Sequence, residues 1–570
     1  MVHQRADSRL EWWKCCSIYQ IYPRSFQDSD GDGVGDLNGL LSRVDYLAWL
    51  GVGAVWLSPV YRSPMRDFGY DISDYTDVDP LFGTLTDFDR LVAALHERDI
   101  KLILDVVPNH TSDQHPWFVE SRSSRDDPKR NWYVWADPDA DGGPPNNWLS
   151  RFGGSAWEWD ARTEQYYYHA FLQEQPDLNW RNPAVRFAFA DVLRFWLRRG
   201  VDGFRVDASA VLAEDPLLRD EPPNPDFDSK TPPPERFKRV FTDVRPETMS
   251  YIEEMRAMIE EFPDRALLGE VQGSIDRIGQ FYDAERPRFH LPLNFLLLDT
   301  DWDATSLAAG IDQYINAIPD DAWPVWILGS HDKPRIATRI GIEQARIAAM
   351  LLFTLPGTPI FYAGDEIGMP NSVISSEEAR DPFEALVPGY GLNRDPERAP
   401  MRWDGNEKAG FTSGEPWLPL GDHVKERNVA AQLSDDRSVL SLYRQLMALR
   451  QTEPTLHSGQ FQPLRSQSQV LLFERCSDDR RLLIALNTTT GSHTVALHDR
   501  GMLRLSTHLD RLDEPVASQL HLRPNEGVVM EMLTSSLSVS LPGYCGSRVS
   551  KANGGISSRP SLQWVIETSD

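Results

Sequence analysis

An α/β barrel is the fold class that the 570-residue sequence predicts, and three observations predict it. Short apolar runs recur along the chain, and segments of helical hydrophobic spacing separate them. Several runs finish in acids. Leu102–His110 carries Asp105, then Asn109 and His110. Gly203–Ala210 carries Arg205 and Asp207. Ala266–Val271 reaches Glu270, and Val325–Arg335 reaches His331 and Asp332. In a parallel barrel the carboxyl ends of all strands meet on one face, where the chemistry is done. Acids far apart in the sequence then belong to one site.

The chain is long enough for two or three domains. Lys and Arg number 58 against 85 Asp and Glu, a formal charge of −27. That balance argues against nucleic acid, anionic membranes and polyanionic substrates, and a neutral sugar is indifferent to it. The four cysteines are Cys15, Cys16, Cys476 and Cys545. Two are adjacent and none has metal-ligand spacing, so a reducing compartment is expected. The N-terminal residues lack an apolar leader core and no run reaches transmembrane length. A cytoplasmic protein, monomeric or homodimeric, is the expectation.

Taken in order, Ser17–Phe26 reads as the first barrel strand. Asp28, Asp30, Asp32 and Asp36 then fall at positions 1, 3, 5 and 9 of a loop, with Gly33 at 6 and the Val34 carbonyl at 7. This spacing matches a calcium loop, although Gly39 at position 12 excludes an EF-hand. Residues 38–50 carry a helical period, and Gly51–Pro59 is the second strand. Leu102–His110 is the third, and the long excursion 111–178 after it is rich in Trp, Asn, Gly and Pro. A loop of that length is functional or a small domain in itself. Asn182-Pro183 opens a helix that Gly200 closes, leading into the fourth strand. Arg205 and Asp207 share one face of it. Alone, such a pair reads as a packing ion pair; the other strand-end acids favour a site.

Seven prolines between 216 and 234 exclude regular structure and leave a rim loop. A helix over 247–262 leads to the fifth strand and Glu270. His290–Leu298, Val325–Leu328 and Pro359–Tyr362 complete the set, and Gly389–Trp403 is a loop with Arg394 and Arg398. After a helix near 436–450, alternating short strands (Val470–Glu474, Leu482–Asn487, Thr494–Leu497) indicate a β-sandwich. The Ser/Gly-rich tail is expected to be disordered.

The strand-end segments, with Gly51–Pro59 (GVGAVWLSP), Gln175–Asn179 (QPDLN) and Gly357–Gly368 (GTPIFYAGDEIG), resemble the α-amylase superfamily, glycoside hydrolase family 13. The branch they resemble is that of the α-glucosidases and oligo-1,6-glucosidases. The resemblance implies a (β/α)8 barrel over 1–110 and 179–455 and an inserted small domain over 111–178. It implies a C-terminal antiparallel β-sandwich over 456–535, before a tail at 536–570. It also implies one structural cation, calcium or magnesium, in the Asp28–Asp36 loop, and no organic cofactor.

The implied reaction is retaining hydrolysis of terminal non-reducing α-linked glucose from small neutral oligosaccharides. Asp207 would be the nucleophile, kept ionised by Arg205, and Glu270 the general acid and base. Their carboxyls would lie about 5–5.5 Å apart, the spacing of retaining enzymes. Asp332 would grip the sugar hydroxyls, with His110 and His331 bonded to the same ring. Tyr70 would stack on that ring, and Asp71 would be structural. Asp67 with Arg398 would cap the non-reducing end, with Arg394 as the competing partner. Phe152 and Phe171 either wall the sugar or fill the small domain's core. Ala208, the residue after the nucleophile, favours α-1,4 linkages (maltose and short malto-oligosaccharides), whereas QPDLN marks the oligo-1,6 branch. Sucrose hydrolase, glucosyltransferase or isomerase outcomes on the same scaffold are the alternatives. An inactive scaffold is the remote one. Ser330 and Ser209-Ala210 depart from the family's usual text and bear on the aglycone.

Overall fold

A computed structural model describes residues 10–271, 275–282, 285–464, 469–533 and 566–567. Its centre is an eight-stranded sheet: β1 (Ile18–Ile21), β2 (Ala54–Leu57), β3 (Lys101–Val106), β4 (Gly203–Val206), β5 (Ala266–Glu270), β6 (Leu291–Leu293), β7 (Val325–Ile327) and β8 (Thr358–Tyr362). The order is β6-β5-β4-β3-β2-β1-β8-β7, and every neighbouring pair is parallel. Between β6 and β7 the ring closes through a side chain: Asn294 Nδ2 donates to the Val325 carbonyl at 3.1 Å.

The strands are apolar on both faces because both faces are covered. Ile18, Ala54, Trp56, Ile103, Ala266, Leu268, Leu291, Leu293, Val325, Ile327 and Ile360 share the barrel interior. Their neighbours, among them Tyr19, Val55, Leu104, Phe204, Leu267 and Phe361, pack outward against the helices. Trp13 closes the interior at the amino ends. The helix Pro183–Arg198 that feeds β4 starts as the sequence indicates. Asn182 caps Ala184 N–H, Pro183 sits in the first turn, and Gly200 follows the end at φ +99°.

Four elements differ from the sequence expectation: β1 stops at Ile21 before a 3₁₀ turn over Pro23–Ser25, and β4 stops at Val206 before another over Ser209–Val211. The helix over 38–50 is two helices, Leu37–Ser42 and Val44–Leu50, joined at Arg43. The sixth strand is only Leu291–Leu293, and Leu296–Asp299 is a helical turn. A continuous apolar run fits either conformation, so its period cannot choose between them.

Within 111–178, Trp135–Ala136, Gln165–Tyr168 and Trp157–Asp160 form an antiparallel sheet with its own core around Trp148, Trp157 and Tyr168. The C-terminal β domain pairs a six-stranded antiparallel sheet with a smaller one. Val470, Leu472, Leu483 and Ala485 of the first face Val495, Leu520 and Leu522 of the second. The tail expectation falls outside the described residues, save Ile566–Glu567, whose backbone pairs with Thr494–Val495. Among the described residues no helix is long and apolar enough to cross a membrane, and Cys15, Cys16 and Cys476 are free thiols.

Candidate active site

The two-residue period of a strand places the acids. The alternation that sends Ile103 into the barrel sends Asp105 above it. Leu268 is likewise followed by Glu270, and Gly203 by Arg205 and then Asp207. Arg205, 2% exposed, is the hub of the cluster. Its Nη1 lies 2.9 Å from Asp105 Oδ1 and 2.5 Å from Asp207 Oδ1, and its Nη2 lies 2.8 Å from Glu270 Oε2. One guanidinium therefore joins three carboxyls from three adjacent strands. Trp56 Nε1 (3.2 Å) and the Tyr70 hydroxyl (3.1 Å) donate to Asp105 Oδ2.

Beyond Asp207 the chain turns sharply. Ala208 adopts φ +47°, ψ +32°, a left-handed conformation uncommon for a residue with a Cβ. The turn aims Ala208 N–H at Glu270 Oε2, 3.2 Å away, and Ser209 Oγ donates to the Glu270 carbonyl. Glu270 Oε2 is thus held from two sides, by Arg205 and by backbone.

Burial is the largest influence on Asp207 and raises it; the Glu270 and Asp105 charges add to this and Arg205 opposes it. Burial also raises Asp105, to about 6. The expectation that Arg205 keeps Asp207 ionised therefore meets a counter-effect. Asp105 and Asp207 are both pushed up around the one cation that they share with Glu270.

The third acid stands on different ground. Burial alone would raise Asp332, but His331, Arg398 and Arg394 hold it well below the ordinary carboxylate range. Arg398 Nη2 is 2.6 Å and Arg394 Nη1 3.4 Å from Asp332 Oδ1. Burial depresses His331 to about 3, so at neutral pH it contributes a hydrogen bond and the arginines contribute the charge. Gln20 Nε2 donates to His331 Nδ1 at 2.6 Å, which leaves the proton on Nε2, near Asp332 Oδ2 (3.2 Å) and the Tyr70 hydroxyl (2.8 Å).

These side chains surround a cavity of about 530 Å³ lined by Asp67, Tyr70, His110, Phe152, Phe171, Asp207, Glu270, Asp332 and Arg394. Arg205, His331 and Arg398 stand behind that lining. Asp67 pairs with Arg394 (3.1 Å), not with Arg398. The two arginines flank the 3₁₀ turn Asp395–Glu397. Arg394 faces the cavity, braced by Asp381 (2.7 Å), while Arg398, 1% exposed, donates to the His331 carbonyl (2.9 Å). Asp71 accepts from Ser63 Oγ, Arg66 N–H and Asp67 N–H and so shapes the loop that presents Asp67. His110, depressed to about 3 by burial, meets Gln175 (3.1 Å). Phe152 and Phe171 line the cavity and are also packed, against Phe383 (4.7 Å) and His110 (5.2 Å).

Sequence reasoning named Asp105 among the strand-end acids but gave it no role, and it left out Asp381 and the wall contributed by the proline-rich loop. The phase of β3 was a signal for Asp105, since it lies two residues beyond Ile103. For the loop no local signal existed. Its fold depends on the buried Glu221, whose carboxylate accepts from Val240 N–H, Phe241 N–H, Thr242 N–H and Thr242 Oγ1 at 2.7–2.9 Å.

In the first acidic loop, carboxylate oxygens of Asp28, Asp30 and Asp36 lie within 4.8 Å of one another. Asp32 is outside that group: its Oδ1 accepts Val34 N–H at 2.7 Å, and burial raises it. Three clustered carboxylates are a donor set that suits a hard divalent cation.

The sequence of residues 20–459 matches the family model described as alpha amylase, catalytic domain. A probable alpha-glucosidase of Rhizobium meliloti is 40% identical over 513 residues, 87% of this chain and 93% of its own length. An oligo-1,6-glucosidase of Parageobacillus thermoglucosidasius is 36% identical over 567 residues, 91% of this chain and 99% of its own. The crystal structure of the alpha-glucosyl transfer enzyme XgtA superposes with a TM-score of 0.86 at 39% identity, covering 92% of this chain and 100% of that one. A barrel with its strand-end acids gathered on one guanidinium, matched over this length, makes the chain a glycoside hydrolase that belongs to the α-amylase family, in its α-glucosidase and oligo-1,6-glucosidase branch.

Proposed function

We propose that the protein is a retaining, exo-acting α-glucosidase that releases single glucose units from the non-reducing ends of short α-1,4-linked oligosaccharides. The observation that carries this reading is Arg205 bridging Asp207 and Glu270 on its two terminal nitrogens. Carboxyls sharing one guanidinium suit the spacing of about 5–5.5 Å used for covalent catalysis better than the wider gap an inverting enzyme needs for a water.

Asp207, as the carboxylate, attacks the anomeric carbon, and Glu270, as the carboxylic acid, gives its proton to the departing glycosidic oxygen. A glucosyl ester on Asp207 results. Glu270 then takes a proton from water, whose oxygen attacks the same carbon and frees Asp207. Asp332, anionic beside two arginines, holds sugar hydroxyls and offsets the positive charge that develops on the ring. The Asp67–Arg394 pair walls the pocket and favours a chain end. Ala208 leaves room at the reacting bond for the 1,4 geometry, an effect of about 1–3 kcal/mol at most. Water is one acceptor for the ester and a second sugar is another. The likeness to an alpha-glucosyl transfer enzyme favours some transglycosylation.

The test is the anomer released from maltose, followed by NMR. α-Glucose appears first if this reading holds, and β-glucose first would sink it. Rates on maltose, isomaltose, sucrose and trehalose decide the linkage, with maltose expected fastest. Glu270→Gln should lower kcat/KM on maltose by about 10²–10⁴. On a 4-nitrophenyl α-glucoside, whose leaving group needs little protonation, the loss should be far smaller.

For the acidic loop we propose calcium, with Asp28, Asp30 and Asp36 as its carboxylate ligands; bound there, it would neutralise crowded charge and fix the segment after β1. Removing it with a chelator should lower the thermal midpoint, by the equivalent of about 2.7 kcal/mol if the ion is normally present at a hundred times its dissociation constant. An unchanged midpoint argues against a structural ion.

A further inference from the structure

Asp67, Arg394 and Asp332 account for the glucose side of the cavity. The wall that is left comes from the inserted segment and from the proline-rich loop and the residues after it, and it carries two arginines as well as two acids, Glu235 and Asp243. Arg151 and Arg239 both line it, together with Asp243. Asp243 feels three guanidinium groups, those of Arg151, Arg277 and Arg239. Its nearest is Arg151 Nη2 at 3.7 Å, and its buried Oδ1 has no hydrogen-bond partner. Arg239 donates to two carbonyls, Leu149 (3.0 Å) and Pro234 (3.3 Å). A guanidinium carries five N–H groups, so these contacts do not exhaust it. Among the described residues no carboxylate forms an ion pair with Arg239. Of the other acids on the lining, Glu235 is exposed and Glu397 is pushed up to about 8 by burial. In a chain of net charge −27, a half-buried arginine without an ionic partner, facing the reaction centre, is out of keeping with its surroundings.

We propose that this wall is a subsite for an anionic aglycone: Arg239, with Arg151, grips a carboxylate or phosphate-type group on the leaving portion of an α-glucoside. The inference rests on the glucosidase reading above and adds to it a preference among substrates. Planar guanidinium groups suit both kinds of oxyanion, and the contact is worth most where water is partly excluded. The negative field of the whole chain is screened within about 8 Å at physiological salt, so it does not forbid a single local anion.

Three aryl α-glucosides of one size make the test: 4-carboxyphenyl, 4-phosphonophenyl and the neutral 4-carbamoylphenyl compound. For the wild type, kcat/KM should be roughly tenfold higher for at least one anionic member than for the neutral one, the value of a charge-assisted hydrogen bond. Which member gains tells carboxylate from phosphate chemistry. In Arg239→Gln and in Arg151→Gln that ratio should fall at least threefold. Damage that is only structural lowers all three rates together and leaves the ratio standing, so an advantage that survives both substitutions overturns the proposal. No anionic advantage in the wild type overturns it too. If 4-nitrophenyl α-glucoside is not hydrolysed at all, the glucosidase reading fails first and this inference with it. If it is hydrolysed without anionic preference, the inference alone fails.

Discussion

Asp207→Asn lowers kcat/KM on maltose by at least about 10⁴ and does not lower the thermal midpoint. The first half follows from chemistry: an amide cannot form the glucosyl ester, and groups that act as a unit lose most of their effect together. The second half follows from electrostatics. Asp207 is raised by burial and by two carboxyl neighbours, so its charge is a burden on the folded state at neutral pH. An isosteric amide removes that burden and keeps the contact surface. Steady-state kinetics and a melting curve on one preparation read both halves. Activity within a hundredfold of wild type would take the nucleophile's role from Asp207. A sharp loss of stability would contradict the account of the cluster.

Arg205→Leu has the largest expected effect on stability. It leaves the buried Asp105 and Glu270 and the half-buried Asp207 facing one another without their cation, a defect of about 3–5 kcal/mol. The pH dependence has a definite sign. Asp105 is raised to about 6, above its unfolded value, so its favourable share of stability is complete below the unfolded pKa and is lost as pH rises through the folded one. Removing Arg205, which lowers both Asp105 and Asp207, pushes these two carboxyls further up. The deficit should therefore be smaller at pH 5 than at pH 8. Asp105→Asn combined with Arg205→Leu should recover part of the loss, because the two residues touch and their effects cannot add. Equal deficits at both pH values, or a double variant no better than the single, would show that packing and not charge sets the cost.

Much of this architecture was legible in the sequence because its signals are local. Seven strands are apolar runs found where they were expected, and the helix before β4 announces itself by Asn182, Pro183 and Gly200. The strand-end acids were legible for the same reason, since strand alternation fixes where Asp207 and Glu270 point. What was not legible depends on distant partners. Arg394 and Arg398 are both arginines near one loop. Which of them meets Asp67, 327 residues from Arg394, is decided by the short 3₁₀ turn between them. Asp105 was placed among the strand-end acids by its position, but its pairing with Arg205 became visible only in the fold. The proline-rich loop is shaped by Glu221, and nothing in the run of prolines names that residue.

Around most of the sheet each strand is laced to the next by main-chain ladders, but among the described residues no such ladder joins β6 to β7, which meet through the amide of Asn294 and through packing in the interior. A hoop with a weaker clasp parts at the clasp. Breathing of the barrel on heating thus belongs there, one strand away from Glu270 and on the far side of the ring from β1–β3. The proton donor would then lose its alignment before the rest of the barrel came apart.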